Sequence, residues 1–238
     1  MTQIVGIMTK KQTVIINGYE HISFVQPFHY TQEEMVNRSK EYHEWLEKRR
    51  SIRMFSDKAV PKSVIENLIL SGSTAPSGAH KQPWTFCAIS NKILKSKIRG
   101  AAEAEEKKSY EGRMSERWKK DLKPLGTDMN KPFLETAPWL IVAFKKTYEI
   151  YEDGRKQNNY YVNESVGIAC GMLITAIHNA GLVTLTHTPS PMNFLAKLLD
   201  RPANEKAYIL FPVGYANEEV YVPKIHRKQL DEVSCFFE

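Results

Sequence analysis

Helical and strand-like spacings of apolar residues alternate along this chain, and they predict a sheet of at least four strands interleaved with helices. Residues 1–30 show little periodicity and read as an extended arm. Thr31-Gln32-Glu33-Glu34 then opens the first clear helix with a capping box, and Met35, Tyr42, Trp45 and Leu46 give that helix an apolar face. Pro61 suits a first helical turn, and Val64, Ile65, Leu68 and Ile69 recur at helical spacing after it. Residues 84–90 follow as a short strand.

From Asn91 to Lys131 the pattern weakens: charged helix formers dominate and few large apolar residues are available to bury. Local stability follows buried apolar contacts, so residues of about 100–131 read as a mobile lid. The nearly continuous apolar run at 138–145 predicts a strand covered on both faces. The helix predicted at 160–181 is apolar on nearly every side, which implies burial all round, with Gly181 as its C-cap. Residues 183–188 alternate at period two up to Pro189, and 207–213 form another apolar strand. The tail of about 215–238 is irregular, a second terminal arm. With no repeat or linker, residues 1–238 read as one domain.

Composition narrows the function classes. The net charge of +6 raises the question of nucleic acid, but acidic residues are interleaved with the basic ones and no nucleic-acid motif is present, so no nucleic-acid partner is expected. No apolar run approaches the roughly 20 residues that span a bilayer, and the N-terminus lacks a secretory pattern, so no membrane partner and a cytoplasmic location are expected. Cys87, Cys170 and Cys235 are far apart in apolar contexts, as suits reduced, buried thiols. Neither GxGxxG nor GxxxxGK[ST] occurs, and the His and Cys residues lack metal-ligand spacing, so no metal is expected.

Two stretches carry chemistry. Arg49-Arg50-Ser51-Ile52-Arg53 places three guanidiniums within five residues, and with the distant Arg227 these could converge on one dianionic phosphate. Solvated arginines at a helix end are the plainer explanation of the same residues. Thr74-Ala75-Pro76-Ser77-Gly78-Ala79-His80-Lys81-Gln82-Pro83-Trp84 is a polar, glycine-containing loop entering a strand. Further on, Thr186-His187-Thr188 ends a strand where hydroxyls and amides can face a flat ring. In the lid segment, Glu106 and Tyr110 lie four residues apart, on one helical face, and Lys131 follows. A zwitterionic amino acid needs one carboxylate and one cation, and Glu106 and Lys131 have those signs, though so charged a segment yields such residues by chance. Trp118 and Trp139 read as core, and His80 has no evident partner.

RRSIR followed by TAPSGAHKQPWTF resembles the flavin-binding signature of the nitroreductase superfamily, and its wording is most similar to the iodotyrosine deiodinase branch. The resemblance covers roughly residues 40–230. It implies an α+β, nitroreductase-like fold with a central mixed sheet flanked by helices, an intertwined homodimer whose terminal arms embrace the partner, and FMN sites at the subunit interface. A helix buried on all sides in so short a chain suggests the same dimer. The resemblance assigns Arg49, Arg50, Ser51, Ile52, Arg53 and Arg227 to the FMN phosphate end, and Pro76 and Ser77 to the ring. Thr186, His187 and Thr188 join the cofactor site, with the Thr188 hydroxyl at flavin N5 as the catalytic group. A hydroxyl there steers flavin toward sequential one-electron transfer. Glu106, Tyr110 and Lys131 bind the substrate zwitterion, and the Ala79 amide holds the substrate phenolate. His187 stands where threonine is the familiar residue.

The activity implied is FMN-dependent reductive dehalogenation of halotyrosines, 3-iodotyrosine and 3,5-diiodotyrosine going to tyrosine plus iodide, with electrons from an NAD(P)H-linked reductase or another donor. Two other readings stay open: a general NAD(P)H-dependent nitro or quinone reductase, and a flavin- or halotyrosine-binding protein without turnover.

Overall fold

Ile16-Asn17-Gly18-Tyr19 makes a two-residue hairpin connection: both central residues take positive φ (53° and 83°), as a type I′ turn requires. It joins β1 (Thr13–Ile16) to β2 (Tyr19–Ile22) in antiparallel register. The computed structural model describes residues 12–238. Within the stretch expected to be extended, the described part is thus a hairpin, and the remainder of that expectation lies outside the described residues. Helix α1 (Gln32–Glu47) begins where the sequence predicts: the Thr31 hydroxyl accepts from Glu34 N, and the Glu34 carboxylate accepts from Thr31 N. No α1 residue is fully buried. These elements lie in one compact unit, described over residues 12–48, and residues 49–238 form another.

The second unit is built on a four-stranded sheet. In chain order its elements are α2 (Lys62–Ser73), β3 (Trp84–Ile89), α3 (Lys92–Lys108), α4 (Glu116–Leu122), α5 (Phe133–Thr136), β4 (Trp139–Lys146), a small hairpin of β5 (Tyr148–Ile150) and β6 (Lys156–Asn158), α6 (Val162–Asn179), β7 (Val183–Thr184), α7 (Asn193–Leu198), β8 (Glu205–Gly214) and α8 (Leu230–Val233). Sheet order is β3-β4-β8-β7, with every ladder antiparallel. The parallel component is a single bridge between Ser51 and Thr184. β4 carries the unbroken apolar run and is buried on both faces: Leu140, Ile141, Val142, Ala143 and Phe144 have no exposed surface. One cluster on the α2 and α6 side includes Ile65, Leu68, Ala169, Leu173 and Phe211; the other, on the α3 side, includes Ile98, Ala102, Leu134, Phe144 and Leu210. Where β8 ends, a Cβ on Gly214 would sit 2.4 Å from Pro138 Cδ, so only glycine lets the chain pass.

Helix α6 departs from expectation. Ser165, Val166, Ala169, Cys170, Leu173 and Ile177 are buried, but Tyr161, Glu164, Ile168 and Gly171 form an open stripe, with Ile168 46% exposed. Apolar composition all round is therefore covered on one side only within this chain. The helix ends in a Schellman turn: Leu182 N donates to Ile177 O and Gly181 N to His178 O, with Gly181 at φ 72°. Two further expectations need correction. Cys235 is exposed, while Cys87 is half-buried and Cys170 buried, all three free. The strand predicted at 183–188 is paired as β7 for two residues only; beyond it, one bridge joins His187 to Leu210. Among the described residues no helix is long and apolar enough to cross a membrane.

Candidate active site

The arginine cluster is positioned by the buried residues threaded through it. Ile52 and Phe55 point into the core, so Arg49, Arg50 and Arg53 fall on the half-buried side of the segment. Ile52 N donates to Thr184 O at 3.1 Å, which ties the cluster to the sheet edge at β7. Arg49, Arg50, Ser51, Arg53 and Arg227 line a cavity of about 330 Å³ together with Leu125, Pro223, Ile225 and His226. Arg227 Nη2 donates to Arg49 O at 3.1 Å, and an Arg50 guanidinium nitrogen donates to Pro223 O, so the C-terminal segment closes this cavity. No carboxylate is among its lining residues. Burial first, and then the neighbouring Arg227 and Arg50 charges, hold the Arg49 guanidinium below its ordinary pKa. Such a cavity fits the dianionic phosphate of FMN. Ile52 itself contributes backbone and core packing, not a side chain in the cavity.

A second cavity, about 210 Å³, shares Arg53 with the first and contains Glu106, Tyr110, Lys131, Thr186, His187 and Thr188. The 186–188 segment alternates exposed, buried, exposed, so both threonines face outward while His187 turns inward. The alternation follows from β-type pairing: His187 N donates to Leu210 O and Leu210 N to His187 O. His187 is 6% exposed, stands edge-on to Phe133 with centroids 5.5 Å apart, and has an Nε2 atom without a hydrogen-bond partner among the described residues. Burial first, then the Lys131 and Arg53 charges, push its imidazole down to about 3, so it is neutral across the physiological range.

The opposite wall comes from the segment expected to be a lid. It is more ordered in pattern than the sequence suggests: α3 buries Ile98 and Ala102, then passes into a π-helical turn, Ser109–Arg113, whose Ser109 is buried. Wide turns of this kind frequently accompany functional sites because they re-aim one side chain. Here the turn carries Tyr110, whose hydroxyl donates to Thr127 O at 3.1 Å. Burial and the Glu106 charge raise its pKa, keeping it a neutral phenol. Lys131 Nζ lies 3.4 Å from Glu106 Oε2, the two side chains only 4% and 13% exposed. The same ammonium donates to Thr127 Oγ1 at 3.2 Å and to Asp128 O. Trp118, Leu122 and Met114 complete the wall. Trp118 is thus half-exposed cavity lining and not core, whereas Trp139 packs against the core with Nε1 donating to Val60 O.

Pro76, Ser77 and Ala79 line neither cavity. Their loop is tightly wound: Ala79, His80 and Gln82 all have φ between 46° and 52°. Gly78 N donates to Ser165 Oγ, His80 N to Ser77 O, Lys81 N to Gly78 O and Gln82 N to Ser77 Oγ. The exposed Ala79 donates from its amide to no group among the described residues. His80 does have a partner, the Gln82 side chain at 3.1 Å. No group of three or more metal-ligating residues occurs among the described residues.

Residues 46–215 match the model of the nitroreductase family. Over 196 residues the chain is 59% identical to an iodotyrosine deiodinase of Haliscomenobacter hydrossis, covering 82% of this chain and 88% of that one. Human iodotyrosine deiodinase 1 is 48% identical over 215 residues, 90% of this chain and 74% of the human one. A crystal structure of oxidised iodotyrosine deiodinase bound to FMN and 3-iodo-L-tyrosine superimposes with a TM-score of 0.71 at 27% identity, covering 82% of this chain and 99% of that one. Arginine cavity, threonine edge and lid wall therefore sit in a protein that belongs to the nitroreductase family and, within it, to the iodotyrosine deiodinases.

Proposed function

We propose that this protein is an FMN-dependent reductive deiodinase that converts 3-iodotyrosine and 3,5-diiodotyrosine to tyrosine and iodide. The observation that carries the reading is the joining of two cavities at Arg53, one fitted to a dianion and the other holding Glu106, Tyr110 and Lys131 opposite Thr186 and Thr188. Arg49, Arg50, Ser51, Arg53 and Arg227 would hold the cofactor's phosphate, and Thr186, His187 and Thr188 its ring. Flavin, when bound, supplies electrons that it can pass on one at a time.

The chain's own groups do the remainder. Glu106 accepts the substrate ammonium, and Lys131 turns from Glu106 to the substrate carboxylate, exchanging an internal ion pair for two external ones. Tyr110, neutral, packs beside them. Trp118, Leu122 and Met114 form an apolar cover that displaces water from the aryl ring. Thr188 would offer its hydroxyl to N5 of a bound flavin. Ala79 would offer its amide to the phenolate, whose negative charge makes the carbon bearing iodine basic enough to take up the proton that, with two electrons, replaces iodide.

Because the Pro76–Ala79 loop lies outside both cavities, we assign its contribution to a second copy of the chain. The open stripe of α6, with Ile168 at its centre, is the surface on which two copies would pair. The loop adjoins that stripe: a Cβ on Gly78 would touch Tyr160 and Tyr161. Electrons enter from an NAD(P)H-linked reductase or another external donor. A cytoplasmic setting belongs to the same proposal, supported by three free thiols.

The test is chemical. Holoprotein reduced anaerobically with dithionite and mixed with 3-iodotyrosine is expected to yield stoichiometric tyrosine and iodide. No tyrosine, with nitroaromatics reduced instead, would assign the protein to general nitroreductase chemistry.

A further inference from the structure

One face of α3 grips the segment that carries Lys131, and it does so at both ends of that residue. Glu106 meets the Lys131 ammonium at 3.4 Å. One turn earlier, Glu103 Oε1 accepts the Lys131 backbone N–H at 2.6 Å. Earlier again, Arg99 donates to Glu103 Oε1 at 2.8 Å and to Glu135 Oε2 at 2.9 Å. Lys95 closes the series, its buried ammonium donating to Glu135 O at 2.9 Å and Ala137 O at 2.7 Å. The spacing 95, 99, 103, 106 is a helical stripe, so one rigid element fixes the segment 131–137 by side chains alone. Glu103 lines neither cavity, and it meets Lys131 at the backbone amide and not at the ammonium assigned to the substrate. Among the described residues its partners are Arg99 and the Lys131 amide.

We propose that Glu103, held by Arg99, is a positioning residue for zwitterion recognition: it fixes the Lys131 backbone so that the lysine ammonium stays in register with Glu106. The inference rests on the reading of Glu106 and Lys131 as the zwitterion clamp. The reason is geometric. A lysine side chain is a flexible four-carbon stem, so its ammonium is placed only if its backbone is fixed and its other donors are engaged. Charge-assisted bonds such as the carboxylate at 2.6 Å provide that fixing. Loss of the anchor lets the 127–131 turn drift from α3 and separates the cation from the carboxylate, while the groups assigned to the aryl ring stay where they are.

Ligand discrimination separates this role from general stabilisation. Affinities of the oxidised holoprotein for 3-iodotyrosine and for 2-iodophenol, which lacks the zwitterion, are measured by quenching of flavin fluorescence, with thermal unfolding in parallel. For Glu103→Ala we expect roughly tenfold or greater loss of 3-iodotyrosine affinity, as for removal of a charge-assisted hydrogen bond, with 2-iodophenol affinity within about threefold of wild type. Glu103→Gln retains an acceptor for the Lys131 amide and should recover most of the loss, and Arg99→Met should fall between the two. Equal weakening of both ligands in Glu103→Ala, or unchanged affinity for both, would overturn the proposal. Should Glu103→Ala fail to fold, the same comparison is made with Arg99→Met; if it leaves the ratio of the two affinities unchanged, the proposal is wrong. If wild type itself shows no preference for 3-iodotyrosine over 2-iodophenol, the clamp reading fails and this inference falls with it.

Discussion

The two cavities meet at Arg53 but handle charge in opposite ways. The arginine cavity gathers Arg49, Arg50, Arg53 and Arg227 without a lining carboxylate, and burial, followed by the Arg227 and Arg50 charges, lowers the Arg49 pKa. The lid cavity sets Lys131 against Glu106 and keeps both Tyr110 and His187 neutral. On the proposed reading, the clustered guanidiniums of the first suit a dianion, and the internal Lys131–Glu106 pair of the second suits a ligand that carries both signs. A tightly held cofactor and an exchangeable substrate would then meet different surroundings, one of clustered cations and the other of a ready-made ion pair.

The largest expected effect breaks the first side of this contrast. Replacing Arg49 and Arg53 together with glutamine should weaken FMN binding by about 3 kcal/mol or more, since each guanidinium contributes charge-assisted bonds of about 1.5 to 3 kcal/mol and neighbouring losses are not additive. Titration of apoprotein with FMN, followed by fluorescence, measures it; affinity within threefold of wild type would remove the phosphate assignment. On the lid side, Glu106→Gln should cost halotyrosine binding about 1.5 to 3 kcal/mol while leaving FMN affinity unchanged. Isothermal titration of both ligands checks that split, and joint loss would show that the cavities are not separable.

His187 sharpens the contrast through pH. In the unfolded chain its imidazole protonates below about 6.5, but in the fold only near 3. Between those values the unfolded state binds the proton, so stability falls as pH is lowered through that window. From pH 7 to pH 5, His187→Gln should therefore lose about 2 kcal/mol less stability than wild type, as urea unfolding at the two pH values would show. Parallel losses would mean that the imidazole titrates normally. The smallest effect belongs to Thr188→Ala: about 0.5 to 1.5 kcal/mol, the range for one neutral hydrogen bond, off the stability of the one-electron-reduced flavin. Spectra recorded during photoreduction measure it, and Thr188→Ser should restore the signal.

Much of this was legible in the sequence, where one residue sufficed to specify a local geometry. Thr31 and Glu34 form the capping box, Gly181 ends α6, and the apolar run becomes the covered strand β4. The β1–β2 hairpin was equally readable from Asn17-Gly18 between β-branched residues, but its strands are exposed and lack the alternation that marks a buried face. Composition misled at α6, because apolar character says how much surface avoids water and not whether this chain supplies the cover. At the site, Glu106, Tyr110, Lys131, Thr186 and Thr188 converge on one cavity, and they were identifiable through motif resemblance. Trp118, Phe133 and the Arg99–Glu103 anchor were not, since their positions depend on a π-turn and on contacts between α3 and a segment some thirty residues away.

The most direct measurement is a crystal structure of the holoprotein with 3-iodotyrosine. The account predicts the FMN phosphate among Arg49, Arg50, Arg53 and Arg227, the substrate ammonium on Glu106 and its carboxylate on Lys131, with the Glu106–Lys131 pair opened to receive them. A substrate amino group left in solvent, with that pair still closed, would contradict it.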